Sequence, residues 1–135
     1  MSYQKPNPLT RWVVNPLINL THAGGAETLT VVGRRSGRSR DVPVIPVRVG
    51  ESRYLVCPYG QTDWVRNLRA AGRGELRGHG VAEPFVASEV PVAERAPVID
   101  AYRAVAGRVV EPLFRDLPDP ADHPVFRIEP VNAPT

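Results

Sequence analysis

The chain holds one cysteine, Cys57, and one lysine, Lys5, and each scarcity excludes something. A lone thiol forms no intramolecular disulfide, and without a neighbouring Cys/His pattern it offers no metal site. A reducing cytoplasm is the expected compartment. With lysine nearly absent, arginine carries almost all the positive charge behind a net charge of +3 and a pI of about 9.5. Base composition can produce that bias, and so can selection of the guanidinium fork for phosphate; local clustering separates the two. Nothing resembles a secretory leader, and no run approaches the roughly 18 apolar residues of a membrane span. Paired carboxylates, a nucleophile elbow and a P-loop are also missing. His22, His79 and His123 stand far apart in loop-like settings, so they read as surface histidines and no metal is expected.

What is present fits one domain spanning residues 1–135, with 1–8 a loose lead-in. The 42% hydrophobic content is ordinary for a globular protein, while 15 prolines and 11 glycines predict many turns and short elements. Trp12, Val13, Pro16, Leu17 and Leu20 predict a short amphipathic helix over 9–20. Strands are expected over 27–32, 41–49, 53–58, 75–79, 81–92 and 125–129. Pro43 and Pro46 mark the second of these as an edge or bulged strand. Core positions in the fourth and fifth are Leu76, Val81, Phe85, Val86 and Val90.

Thr62 reads as a helix cap, and Trp64, Leu68 and Ala71 share one face of the helix that Gly72 stops. Arg66 and Arg69 fall on the outer face. Val98, Ile99, Tyr102, Val105 and Ala106 mark a second helix that tolerates Pro97 in its first turn, and a helical continuation follows Pro112. The sum is an α+β domain, a small barrel of about six mostly antiparallel strands with short flanking helices.

The chain is organised around Gly33-Arg34-Arg35-Ser36-Gly37-Arg38-Ser39-Arg40, where four of eight residues are arginine between two apolar strands. Guanidinium groups make paired hydrogen bonds to phosphate or carboxylate, and free turn amides add donors. Two readings stand side by side: a site for a polyanionic ligand, or an exposed, solubilising hairpin loop. If a bound cofactor carries the chemistry, the missing acid–base set is expected, because hydride transfer needs orientation and a shaped pocket rather than a protein nucleophile.

This arginine loop with Val42-Pro43-Val44 after it, followed later by Trp64-Val65-Arg66-Asn67-Leu68-Arg69, resembles the deazaflavin (F420)-dependent nitroreductase family of split β-barrel proteins over roughly residues 9–130. The resemblance implies hydride transfer between F420 and a small organic acceptor such as a quinone or a nitroaromatic, with F420 preferred to FMN as cofactor. F420 carries a phosphate and a polyglutamate tail, which is the polyanion the loop calls for.

By the same resemblance Arg34, Arg35, Ser36, Gly37 and Arg40 contact the phosphate and tail, and Val42, Pro43 and Val44 line the ring through backbone. Cys57, Pro58, Tyr59 and Gly60 border ring or phosphate, and Trp64 and Asn67 brace the site. A serine and a lysine are frequent in the family where this chain has Pro58 and Tyr59. The tyrosine cluster of the best-known nitroreductase member is absent, which leaves Tyr102, Phe114 and His123 as candidates for the substrate pocket. The alternative function is a barrel that binds or sequesters F420, a flavin or another anionic ligand without turnover. Nucleic acid is not an expected partner, because the tryptophans and tyrosines do not interleave with the arginines as stacking platforms would. Pairing of two copies through their sheets is left open.

Overall fold

The computed structural model describes residues 26–78 and 80–131, so the helix expected over 9–20, His22 and His79 lie outside the described residues. Seven strands form one antiparallel sheet. They are β1 (Glu27–Val32), β2 (Ser39–Val44), β3 (Val47–Val49), β4 (Ser52–Val56), β5 (Arg73–Gly78), β6 (Val81–Glu89) and β7 (Val125–Pro130), in the order β2-β1-β5-β6-β7-β4-β3. Helix α1 (Asp63–Ala71) joins β4 to β5, while α2 (Ala96–Ala106) and α3 (Glu111–Asp116) fill the connection from β6 to β7.

The two strands at the ends of the sheet order, β2 and β3, are consecutive in the chain and separated only by Ile45 and Pro46. Such a sheet has to curl until its edges nearly meet, and the result is a split barrel. The one strand expected over 41–49 is therefore two. Pro46 has no amide to give the ladder, and Ile45, 2% exposed, turns into the core at the break. This raises the strand count from about six to seven.

Side chains alternate between two cores because successive strand residues point to opposite faces. Inside the barrel Leu29, Val31, Leu55, Leu76, Phe85, Phe126 and Ile128 meet Trp64, Val65 and Leu68 from α1. Outside it, Val47, Val56 and Val125 pack against Val98, Ile99 and Tyr102 of α2 and Phe114 of α3. Each buried aliphatic or aromatic side chain contributes roughly 1.5–3 kcal/mol. At the barrel end far from the arginine loop, Arg53 pairs with Glu27 at 3.0 Å and Glu83 at 3.2 Å.

Several expected core positions face solvent. Val86 lies opposite Arg73 and Glu129 on the outer face of the sheet and is 44% exposed, and Val81, at the mouth of the β5–β6 turn, is 60% exposed. In α1 the buried stripe is Trp64, Val65, Asn67 and Leu68, and Ala71 is exposed. In α2 Val105 is exposed while Val98, Ile99, Tyr102 and Ala106 are buried. Thr62 holds the N-cap position of α1 but makes no side-chain capping bond. No helix among the described residues is long and apolar enough to cross a membrane.

Candidate functional site

The arginine loop is a closed turn. Gly33 N–H donates to Arg38 O at 2.8 Å, Gly37 N–H to Gly33 O at 2.9 Å, and Arg38 N–H to Ser36 Oγ at 3.1 Å. Gly37 has φ +75, which suits a residue without Cβ. A Cβ on Gly33 would stand 3.0 Å from Ser36 Oγ and 3.3 Å from Arg38 O, so any larger residue there would push on both by a few tenths of an ångström.

Helix α1 holds this turn in place. Asn67 Oδ1 accepts from the Arg34 backbone N–H at 3.0 Å and from Arg34 Nη1 at 2.8 Å, and Arg34 Nη2 lies 3.7 Å from Asp63 Oδ1. Asn67 is buried. Arg34, expected as an anion contact, thus spends part of its guanidinium on anchoring the loop. Arg35, Arg38 and Arg40 are exposed, with no ion pair or side-chain hydrogen bond to the described residues. Arg38 was not among the contacts that the resemblance supplied, and only its place in the arginine cluster signals it.

Strand β2 leads from the loop along the barrel wall. Arg40, Val42 and Val44 sit opposite Val31, Leu29 and Glu27, so their side chains share the inward face, whereas Asp41 and Pro43 face out. Asp41 Oδ1 accepts from Thr30 Oγ1 at 2.8 Å. The side chains of Val42 and Val44 thus point inward and that of Pro43 outward, while the backbone expected to line the ring runs continuously through all three.

The link from β4 to α1 comes against that wall. Cys57 N–H donates to Pro124 O at 3.0 Å, and the Cys57 sulfur lies 3.5 Å from Thr62 Oγ1 in the interior. Burial pushes the thiol up to about 11, against the opposing hydrogen bond from Thr62. Pro58 and Gly60 are buried and Tyr59 is partly covered. The Tyr59 hydroxyl is buried with no hydrogen-bond partner. Desolvation, and secondarily the nearby Cys57, raise its pKa well above the ordinary phenol value. Val42, Val44, Cys57, Tyr59 and Trp64 all belong to the barrel-interior cluster, so the fold gathers these expected site residues in one place. Trp64 stacks at a tilt on Phe126, 6.3 Å between centroids.

The three residues expected around the substrate lie elsewhere. Tyr102 and Phe114 are interior residues of the second core, and the Phe114 ring lies 4.2 Å from that of His123. His123, expected on the surface, is completely buried, with Nδ1 3.1 Å from Cys57 O and Nε2 against Leu117 O. All three are packing residues here, not lining side chains.

Arg95 escaped the sequence reading. Only 6% exposed, it donates to Val90 O at 2.9 Å, Pro120 O at 3.2 Å and His123 O at 3.4 Å, and it pairs with Glu89 at 3.3 Å. Glu89 also takes both Arg69 Nε at 2.7 Å and Arg69 Nη2 at 2.8 Å. Nothing in the run Ala93-Glu94-Arg95 distinguishes this arginine from a surface one.

A curled antiparallel barrel with an apolar interior, carrying at its rim exposed guanidinium groups that are unpaired among the described residues, defines the split-barrel class. The chain belongs to the F420H(2)-dependent quinone reductase family, whose description it matches over residues 17–110. It is accordingly an oxidoreductase that depends on F420, and a role confined to binding or sequestering the cofactor is set aside. The fold agrees. An F420-H2 dependent reductase, FDR-A, superposes with a TM-score of 0.60 at 20% identity, over 79% of this chain and 96% of that one. A structure described as an F420 reductase gives 0.54 at 16% identity over 84% and 91%. A domain-swapped dimer gives 0.59 at 19% identity over 90% and 99%. No curated protein matches the chain.

The residues present fit the cofactor. Exposed guanidinium groups on an anchored turn, unpaired among the described residues, suit a ligand bearing phosphate and carboxylates, and a hydroxyl with no partner among those residues belongs to Tyr59, which packs against the apolar cluster behind them.

Proposed function

We propose that the chain folds as one domain and binds F420H2 with its phosphate and glutamate tail on Arg35, Arg38 and Arg40, reducing a quinone at the ring. The bound deazaflavin supplies the hydride, and the quinone takes that hydride and a proton to become a hydroquinone. The protein's part is placement. Arg34 and Asn67 fix the loop, Ser36 and Gly37 shape its turn, and the three remaining arginines receive the anionic end. The backbone of Val42, Pro43 and Val44 borders the ring, and the buried side chains of Val44 and Trp64 back it with apolar bulk. Cys57, Pro58, Tyr59 and Gly60 form the opposite border.

The observation that carries this reading is the set of exposed arginines, unpaired among the described residues, on a turn held from below by Asn67. The test is a titration of F420, FMN and FAD side by side with wild type and Arg40→Ala. Saturable binding of F420, weakened in the variant, is expected, and a protein indifferent to F420 refutes the reading. Among the described residues β2 is paired on one side only, which offers an edge for a second copy; light scattering of the purified protein decides between monomer and dimer.

A further inference from the structure

Tyr59 Oη is the one buried side-chain oxygen or nitrogen among the described residues that lacks a hydrogen-bond partner. Burying a hydroxyl without a partner is costly, and folded proteins rarely leave one so. Its position is informative. Tyr59 lies on the link between β4 and α1, in the cluster that also holds Val42, Val44 and Trp64, and its side chain is only partly covered. The cations of the arginine loop meet the anionic end of a ligand, whereas this hydroxyl is desolvated and has the Cys57 thiol and the Tyr102 phenol as its titratable neighbours, so an incoming charge would be poorly solvated there. A neutral acceptor suits it. Burial and the neighbouring Cys57 also keep the phenol protonated, so that it donates.

We propose that Tyr59 is the hydrogen-bond donor to a neutral carbonyl oxygen of the ring bound at this site, either that of the deazaflavin or that of the quinone. This rests on the F420 reading given above. The hydroxyl is covered in the ligand-free fold, so the side chain has to turn about its two rotatable bonds to meet a ring seated over the link. Tyr59 is then a donor at a stated atom, distinct from the arginines that grip the tail.

The experiment compares wild type with Tyr59→Phe, which keeps the ring and removes only the hydroxyl. Two measurements are made on the ligand-free and F420-bound protein, the melting temperature and the F420 dissociation constant, and a third is the KM for a benzoquinone. Without ligand the variant is expected to melt at the same temperature or roughly 2–5 °C higher, because an unsatisfied group has gone. Its F420 dissociation constant is expected to rise by about 5–20-fold if the deazaflavin carbonyl is the acceptor. If the acceptor is the quinone, F420 affinity holds and the quinone KM rises by a similar factor with little change in kcat. A variant that melts lower overturns the proposal, since the hydroxyl would then already be bonded within the fold. So does one that matches wild type in both ligand measurements. Wild-type protein that does not bind F420 at all overturns the cofactor reading, and the donor assignment falls with it.

Discussion

Asn67 Oδ1 accepts two hydrogen bonds from the same residue, Arg34, one from its backbone N–H at 3.0 Å and one from Nη1 at 2.8 Å. A side-chain amide inside α1 thereby fixes both the path of the arginine loop and the direction of its first guanidinium. Replacing it by alanine leaves a part-buried amide and part of a charged group without this acceptor. Asn67→Ala is expected to lose about 1.5–3 kcal/mol in urea unfolding, with F420 affinity falling alongside as the loop loosens. Asn67→Asp keeps an acceptor at that place and should retain most of the stability.

Arg35, Arg38 and Arg40 have no protein partners among the described residues, so removing one leaves nothing stranded. Each single change to alanine is expected to leave the melting temperature within a degree or two and to weaken F420 binding by about 5–10-fold. The dependence of that binding on salt concentration should shrink with every arginine removed. Isothermal titration at two ionic strengths checks it.

Glu89 is held below the usual carboxylate range, first by its hydrogen bond to Arg69 and then by the charges of Arg69 and Arg95. A depressed folded-state pKa stabilises the protein above the unfolded value and is lost as pH falls through the folded one. The stability difference between wild type and Glu89→Gln should therefore be full at neutral pH and shrink once the pH drops below about 4.5, the unshifted carboxylate value. Paired unfolding curves at pH 7 and pH 3 read it directly; a difference that grows on acidification would contradict the ion-pair role.

Cys57 is the only thiol and is completely buried, with its pKa pushed up to about 11. Thiolate is the reactive form. The native protein is expected to resist an aromatic disulfide reagent at pH 7.5 and to react fully once unfolded in guanidinium. Rapid labelling of the folded chain would show that the link from β4 to α1 opens.

His123 sets its two ring nitrogens against Cys57 O and Leu117 O across the second core, and the one N–H of the neutral ring donates to one of them. Leucine at this position fills similar space but abandons that hydrogen bond. His123→Leu should destabilise the protein by about 1–3 kcal/mol in urea, and the link carrying Cys57 and Tyr59 should exchange its amides faster.

The parts of this molecule that the sequence disclosed are those governed by short-range rules. The arginine loop, the stop of α1 at Gly72 and the strands of β1 and β4 follow from composition and period. What it hid depends on which residues meet. Val86 has the same chemistry as Val90, yet one faces Arg73 across the sheet and the other the second core. Arg95 looks like any polar residue before a helix until Val90, Pro120 and His123 surround it. His123 read as exposed because its neighbours Asp122 and Pro124 suggest a turn, and only the folding of 117–124 over Cys57 encloses it. The candidate site divided in the same way, since the arginine loop was legible as a turn, whereas the gathering of Val42, Val44, Cys57, Tyr59 and Trp64 in the barrel interior, the inward and outward faces of β2 and the orphaned Tyr59 hydroxyl needed coordinates.

Ile45 and Pro46 work as the clasp of a hoop. Both rims of the sheet hang from these two residues, so inserting or deleting one here shifts the pairing of Ser39–Val44 against β1 and of Val47–Val49 against β4 together. An extra residue at Gly50 or Gly80 would lengthen a hairpin turn and leave the girth of the hoop alone. Variation in chain length among related sequences should therefore collect at those hairpins and spare the clasp.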